Sequence, residues 1–319
     1  MQKLCVGNIK LNNNIILAPM AGITNISLRC LAKNGGAGLV YTEMISAKAL
    51  IHNSEKTKEI IKISPHERPI SVQIFGCDAY DMSEAAKIVR DIGADIVDIN
   101  FGCPMKKIFK SGGGAKLLDN EKLIFKILKS VVKSIDIPVT IKIRIGLLTG
   151  QNIAPEIINI AQDCGIKMVV VHARSVLQKH MGAPDLKSFA DACENAKIPV
   201  VANGGIINEE TAHNFFKIPN CSGIMIGRGA IANYSIFRRL EKFFSNGEKT
   251  PSPLKEEKMQ WLKEHIQHLI LHYGERKGLV KIKRIIHYYV KNLPSASKIK
   301  ASFYKASKLS DVFELIDYI

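Results

Sequence analysis

The chain has 319 residues, 46% of them apolar, a formal charge of +16 and a mean hydropathy of +0.05. That length can bury a large core and exceeds one small domain, yet no stretch approaches the roughly 18 to 20 apolar residues of a membrane span. Seven widely spaced cysteines (Cys5, Cys30, Cys77, Cys103, Cys164, Cys193 and Cys221) form no CxxC pair, which argues against a disulfide framework and against a structural zinc site.

In chain order, Met1–Lys10 carries neither an apolar h-region nor a small-residue cleavage site, so a cytoplasmic protein is expected. Short β-branched runs follow at Ile15–Ala18, Leu39–Thr42, Ile70–Phe75, Ile96–Asn100, Val139–Ile143, Met168–His172, Pro199–Ala202 and Ile224–Ile226. Helical stretches lie between them, among them Tyr80–Ile92, Glu121–Ser134 and Ala154–Cys164. Alternation of strand and helix specifies a parallel sheet. Strands that are apolar almost throughout are strands buried on both faces. Eight such units predict an α/β protein with a (β/α)8 TIM barrel, a doubly wound open sheet being the alternative. The longest gap, after the fourth strand, holds Phe101–Leu118, a long loop that a barrel would open on its C-terminal face.

Ser245–Pro253 has the turn and breaker residues of a linker. Beyond it come helical patterns at Glu256–His272, at Lys277–Lys291 and in a last stretch through Asp317, with no strand signal. The expected organisation is a barrel domain over residues 1–245 and a small all-helical C-terminal domain over residues 251–319.

Chemistry concentrates at the strand ends. Asn203-Gly204-Gly205 and Gly227-Arg228-Gly229 follow the last two strands, where such barrels bind phosphate: glycines let backbone N–H groups approach an anion, and Arg228 adds a planar cation. The plainer alternative is a pair of tight turns. Lys142 stands in Ile141-Lys142-Ile143-Arg144-Ile145, facing either water or the barrel mouth, where it would stabilise negative charge. Cys103 sits in a shaped loop between Gly102 and Pro104. Lys106 and Lys107 follow and would favour its thiolate. The glycines of Ser111–Ala115, in the same loop, suit either a mobile connector or a close backbone approach.

The strings Ala18–Thr24, Gln73–Gly76, Asn100–Pro104, Lys142–Arg144, His172–Arg174, Asn203–Ile206 and Ile226–Gly229 together resemble the tRNA-dihydrouridine synthases, and most of all their bacterial B-type branch. The resemblance runs over nearly the whole chain and implies an FMN-dependent enzyme, with NADPH as reductant, acting on the tRNA D-loop. It implies that Pro19, Met20 and Ala21 line the flavin, that Gln73 bonds its ring, that Lys142 sits near the pyrimidine end and that His172 lies near the flavin or its phosphate. Asn203, Gly204, Gly205, Gly227 and Arg228 would hold the phosphate, Asn100 and Arg174 would place the substrate, and Cys103 would be the proton donor. Gly205 stands where the family often has Asp, and Phe101 where it often has Met.

Ten Lys or Arg residues and no carboxylate lie between Arg276 and Ser310, interleaved with Tyr288, Tyr289 and Tyr304. Such a concentrated patch favours a nucleic-acid backbone over a membrane, with Lys283 and Arg284 as RNA contacts. His265, His268 and His272 share a helix face without supporting ligands, so no metal is expected. A monomer is expected. The rival readings are an FMN barrel of the dihydroorotate-dehydrogenase kind, acting on a small molecule, and a non-catalytic RNA-binding barrel.

Overall fold

The structure is a computed structural model and describes residues 3–319; the first two residues of the Met1–Lys10 segment lie outside the described residues. Eight strands form the barrel: β1 (Ile15–Leu17), β2 (Val40–Tyr41), β3 (Ile70–Phe75), β4 (Ile96–Asn100), β5 (Val139–Arg144), β6 (Met168–His172), β7 (Val200–Asn203) and β8 (Cys221–Ile226). They pair in parallel from β2 round to β8 and then β1. A parallel bridge between Ile16 and Leu39 closes the ring, with the Leu17 N–H donating to Leu39 O at 2.9 Å. Closure removes the open-sheet alternative.

The two-residue repeat of a strand sorts its side chains. Ile15, Leu17, Val97, Ile99, Ile141, Ile143, Val169 and Val171 belong to the cluster that packs under the helices. Ile16, Ile96, Met168, Val170, Val201 and Met225 form a separate cluster inside the barrel. A small hairpin, Cys5–Val6 against Ile9–Lys10, adds Leu4, Val6 and Leu11 to that inner cluster and plugs the N-terminal end. Nearer the other end the inward positions turn polar: Gln73, Asp98, Asn100, Thr140, Lys142, Arg144, His172 and Asn203, all buried. Burying such groups is unfavourable unless they are bonded, so one end of the barrel carries both the polar load and the chemistry.

The outer helices form for ordinary reasons. In Glu121–Ser134 the buried residues Ile124, Ile127, Leu128 and Val131 make one stripe, and the Asn120 side chain accepts from the Leu123 N–H at the start. Ala154–Cys164 ends at Gly165 with φ of 92°. A buried ion pair ties the first helix, Ile26–Asn34, to the turn before β3: Arg29 Nε meets Glu67 Oε2 at 2.7 Å, and Arg29 also donates to the Thr24 and Lys62 carbonyls. Removing either partner would strand a buried charge, at about 3–5 kcal/mol.

After the last barrel helix, Ile236–Asn246, the tail forms Lys255–Tyr289, Ala296–Lys305 and Leu309–Tyr318. The long element breaks at Gly274 (φ 72°, ψ 166°), a conformation essentially restricted to glycine. The tail has its own apolar cluster around Leu262, Leu269, Ile286, Tyr289 and Phe303, against which Met20 and Ile23 of the barrel pack. Tyr234 Oη donates to Trp261 O at 2.7 Å, and Lys277 meets Glu59 at 2.8 Å, so the tail sits on the β1, β2 and β8 side of the barrel's polar end.

Candidate active site

A cavity of about 490 Å³ opens at the C-terminal ends of the strands. Pro19, Met20 and Ala21 after β1, Gln73 on β3, Asn100 and Cys103 from β4 and its loop, and Lys142 on β5 all line it. So do His172 and Arg174 around the end of β6, Asn203, Gly204 and Gly205 after β7, and Gly227 and Arg228 after β8. Lys283 and Arg284 do not.

A chain of hydrogen bonds crosses the floor. Asp98, on an inward position of β4, accepts from Thr140 Oγ1 at 2.6 Å and from Gln73 Nε2 at 2.7 Å. Gln73 Oε1 accepts from Asn100 Nδ2 at 2.8 Å, and Asn100 Oδ1 accepts the backbone N–H groups of Gly102 (3.1 Å) and Cys103 (2.9 Å). Only an acceptor can face Gln73 Nε2, so the carboxylate fixes the Gln73 amide, which fixes that of Asn100. Burial pushes Asp98 up to about 6, against the lowering effect of Thr140, Gln73 and Lys142.

Cys103 is buried. Burial raises its thiol above the ordinary 9.0, outweighing the Met105 N–H, Arg144 and Lys142, which lower it. Lys106 and Lys107 point into solvent on a short helix, Lys106–Lys110, and have no part in that balance. The thiol is therefore protonated at neutral pH. Its loop is held firmly. The Ala115 N–H donates to Cys103 O at 3.1 Å, and a Cβ on Gly114 (φ +60°) would lie 2.9 Å from that same oxygen, so this glycine serves a close approach. Arg144 clips the loop to the one after β6, donating to Gly102 O at 2.9 Å, Ser175 O at 3.0 Å and Lys179 O at 2.7 Å.

Lys142 faces inward. Its Nζ donates to Asn203 Oδ1 at 3.0 Å, and Asn203 Nδ2 donates in turn to Met225 O at 2.7 Å. Burial, followed by Arg144, brings it down to about 7, while Asp98 and Cys103 act the other way.

The far end of the cavity is cationic and glycine-lined. Gly204 and Gly205 have φ of 124° and 72°, and a Cβ on Gly204 would come within 2.8 Å of the His172 ring. Arg174 donates to Gly182 O at 3.1 and 2.8 Å. His180, which no sequence pattern singled out, stacks on His172 at 5.7 Å. Burial and the surrounding cations Lys142, Arg144 and Arg174 hold both imidazoles neutral, and Arg228 adds to the effect on His180, which comes down to about 4. A field that keeps two histidines uncharged is a field that attracts an anion.

The family model described as dihydrouridine synthase matches residues 16–317. The chain belongs to the dihydrouridine synthase family. A probable tRNA-dihydrouridine synthase of Rickettsia bellii is 37% identical over 298 residues, covering 93% of this chain and 91% of that protein. The tRNA-dihydrouridine synthase B of Pseudomonas putida is 36% identical over 305 residues, covering 95% and 90%. Among solved structures, a variant of NCR from Zymomonas mobilis superposes with a TM-score of 0.55 at 19% identity, over 79% of this chain and 92% of that one. Histamine dehydrogenase from a Rhizobium species gives 0.54 at 11% identity, over 76% and 47%. These two share the fold.

In this dihydrouridine synthase family member the tail's cations divide in two. Lys277 and Lys281 pair with Glu59, and Lys283 Nζ donates to Tyr304 O at 2.9 Å and to Ala306 O at 2.8 Å, in the last turn and at the C-cap of the helix Ala296–Lys305. Arg276, Arg284, Lys291, Lys298, Lys300, Lys305 and Lys308 make no ion pair among the described residues. Arg284 is exposed at the cavity rim, where a Cβ on Gly22 would be 3.2 Å from its Nη1. His265 is buried and bonded to Tyr289 Oη at 2.9 Å. No helix among the described residues is long and apolar enough to cross a membrane.

Proposed function

We propose that this flavin-dependent oxidoreductase reduces the C5–C6 double bond of a uridine in the tRNA D-loop, with FMN as cofactor, NADPH as reductant and Cys103 as proton donor. The observation that carries the reading is a buried thiol whose loop is fixed by Asn100 and Arg144 over the same cavity as Lys142 and the cationic glycine loops.

The residues present fit FMN. Met20, Gln73 and Lys142 offer one apolar and two polar contacts for a flat heterocycle, and Gln73 keeps an N–H and a lone pair beyond its bonds to Asp98 and Asn100. Gly204, Gly205, Gly227 and Arg228 offer a phosphate cradle, with the uncharged His172 and His180 beside it. FMN held by these residues, with NADPH as reductant, would supply hydride chemistry toward C6 of the uracil. The chain itself does the rest. Asn100 and Arg174 orient the base. Lys142, facing inward from β5, would offer positive charge to the flavin ring. The Cys103 S–H bond breaks as its proton passes to C5 from the opposite face, and solvent returns a proton to the thiolate afterwards.

The unpaired tail cations grip the RNA backbone, in a monomeric, cytoplasmic protein. That patch favours RNA over the small-molecule flavoenzyme reading, because a small substrate has no use for it.

Flavin absorbance under anaerobic conditions tests this. Purified protein loaded with FMN should bleach on addition of NADPH and regain colour with an unmodified tRNA transcript. Recovery with a small oxidant such as orotate, and none with any tRNA, would make it a small-molecule enzyme.

A further inference from the structure

One wall of the cavity belongs to the tail. Tyr288, near the end of Lys255–Tyr289, lines the same space as Cys103 although the two lie on different modules of the chain. Its ring is half-buried against the tail's apolar cluster and lies 3.8 Å from the ring of His287, tilted by 40°. Four residues earlier on the same helix face stands Arg284, exposed beside Gly22 on the rim. Partial burial, then Lys300 and Lys291, lower the His287 imidazole below its ordinary value, against a raising backbone hydrogen bond with Arg284. Two adjoining aromatic rings beside a free guanidinium on the tail's wall of this cavity make a shelf for a planar ring with a phosphate next to it.

We propose that Tyr288, backed by His287, stacks on the base adjoining the reacting uridine, while Arg284 takes the phosphate between them. This rests on the reading of the cavity as a uridine site. A uridine drawn down to Cys103 must leave its stack, which uncovers a face of its neighbour in the strand. An aromatic shelf at the mouth recovers part of that lost stacking, is indifferent to which base it covers, and is the usual means by which single-stranded RNA is held. Tyr288 belongs to the tail's wall of the cavity and not to the strands that carry the floor, so it is the residue to meet the neighbouring nucleotide, and it couples the tail's hold on RNA to entry of the target base.

The test uses the full-length FMN-loaded protein and a tRNA transcript, and reads the rate of dihydrouridine formation at saturating and subsaturating RNA. Tyr288→Phe keeps the ring; Tyr288→Leu keeps apolar bulk in the tail cluster but loses the stacking face. The phenylalanine variant should stay within about twofold of wild type. The leucine variant should lose roughly ten- to a hundredfold in kcat/KM, the size expected of one stacked base, with flavin spectrum and melting temperature unchanged. In a transcript with an abasic nucleotide beside the target, wild type and Tyr288→Leu should become equal. Equal rates for the leucine variant and wild type on intact RNA would overturn the proposal, as would a leucine defect that persists undiminished on the abasic transcript. Failure of the wild type to form dihydrouridine in any tRNA is a separate outcome and would overturn the uridine-site reading beneath it.

Discussion

Asn100 holds Cys103 by its backbone: the amide oxygen of Asn100 accepts the Cys103 N–H at 2.9 Å, while its nitrogen donates to Gln73 at 2.8 Å. The position of the thiol therefore depends on a side chain that is itself oriented from Asp98. Asn100→Ala would free the loop and leave Gln73 Oε1 without its donor. A displacement of about 1 Å at a reacting group lowers rates by about a hundredfold, so single-turnover dihydrouridine formation should fall by that order with Cys103 still present. A rate within threefold of wild type would show that Arg144 and Ala115 suffice to hold the loop.

The pH profile follows from the buried thiol. As the proposed proton donor Cys103 must carry its proton, and burial raises it above 9.0. Activity should therefore hold through neutral pH and fall only as the pH climbs past that value, later than an exposed thiol near ~8.5 would allow. The slope of log rate against pH above 9 reads this directly. A fall beginning at pH 7 to 8 would mean that bound FMN or RNA reverses the effect of burial.

Lys142 gives a signature in stability. Burial brings it from 10.5 to about 7. Between those values the unfolded chain holds a proton that the folded chain has released, so unfolding takes up a proton and becomes less favourable as pH rises. For the cofactor-free protein this group's penalty is full below pH 7 and fades toward pH 10. Lys142→Met removes it, so the melting temperature of the variant relative to wild type should decline steadily from pH 7 to pH 10. Parallel curves would place the ammonium in water.

Much of this was legible in the sequence because it depends on period and on local chemistry. The eight β-branched runs specify the barrel, and the isolated charge in Ile141-Lys142-Ile143 marks an inward position once the strand is known to be buried on both faces. Helices Glu121–Ser134 and Ala154–Cys164 have the ends that their patterns predict, and the gap between the two tail patterns contains the break at Gly274. The hairpin at Cys5–Lys10 escaped because two-residue strands carry no period. Asp98 escaped because an acid on a strand is ordinary until Thr140 and Gln73 are seen to point at it. His180 and Tyr288 reach the cavity through a loop path and through the way the tail docks, neither of which is written locally.

Lys283 shows the same limit from the other side. In sequence it is one cation of ten; in the structure it bonds two carbonyls at a helix end. Lys283→Ala should lower the melting temperature and leave the salt dependence of tRNA binding close to wild type. Lys298→Ala and Lys305→Ala should do the reverse. Removing one cation from a phosphate reduces the slope of log affinity against log salt by about 0.7 to 0.9. Filter binding at several salt concentrations separates the two classes, and a reduced slope in Lys283→Ala would return that residue to the RNA interface.

In the proposed mechanism, the central step is that Cys103 protonates a uridine of tRNA as its C5–C6 bond is reduced. The direct measurement is mass spectrometry of nucleosides from an unmodified tRNA transcript incubated with the FMN-loaded protein and NADPH. Wild type should add two daltons at one D-loop uridine, and Cys103→Ala should do so roughly a hundredfold or more slowly, as expected for loss of a general acid. Equal dihydrouridine from Cys103→Ala and wild type, under conditions where the rate and not the endpoint is compared, would contradict that role.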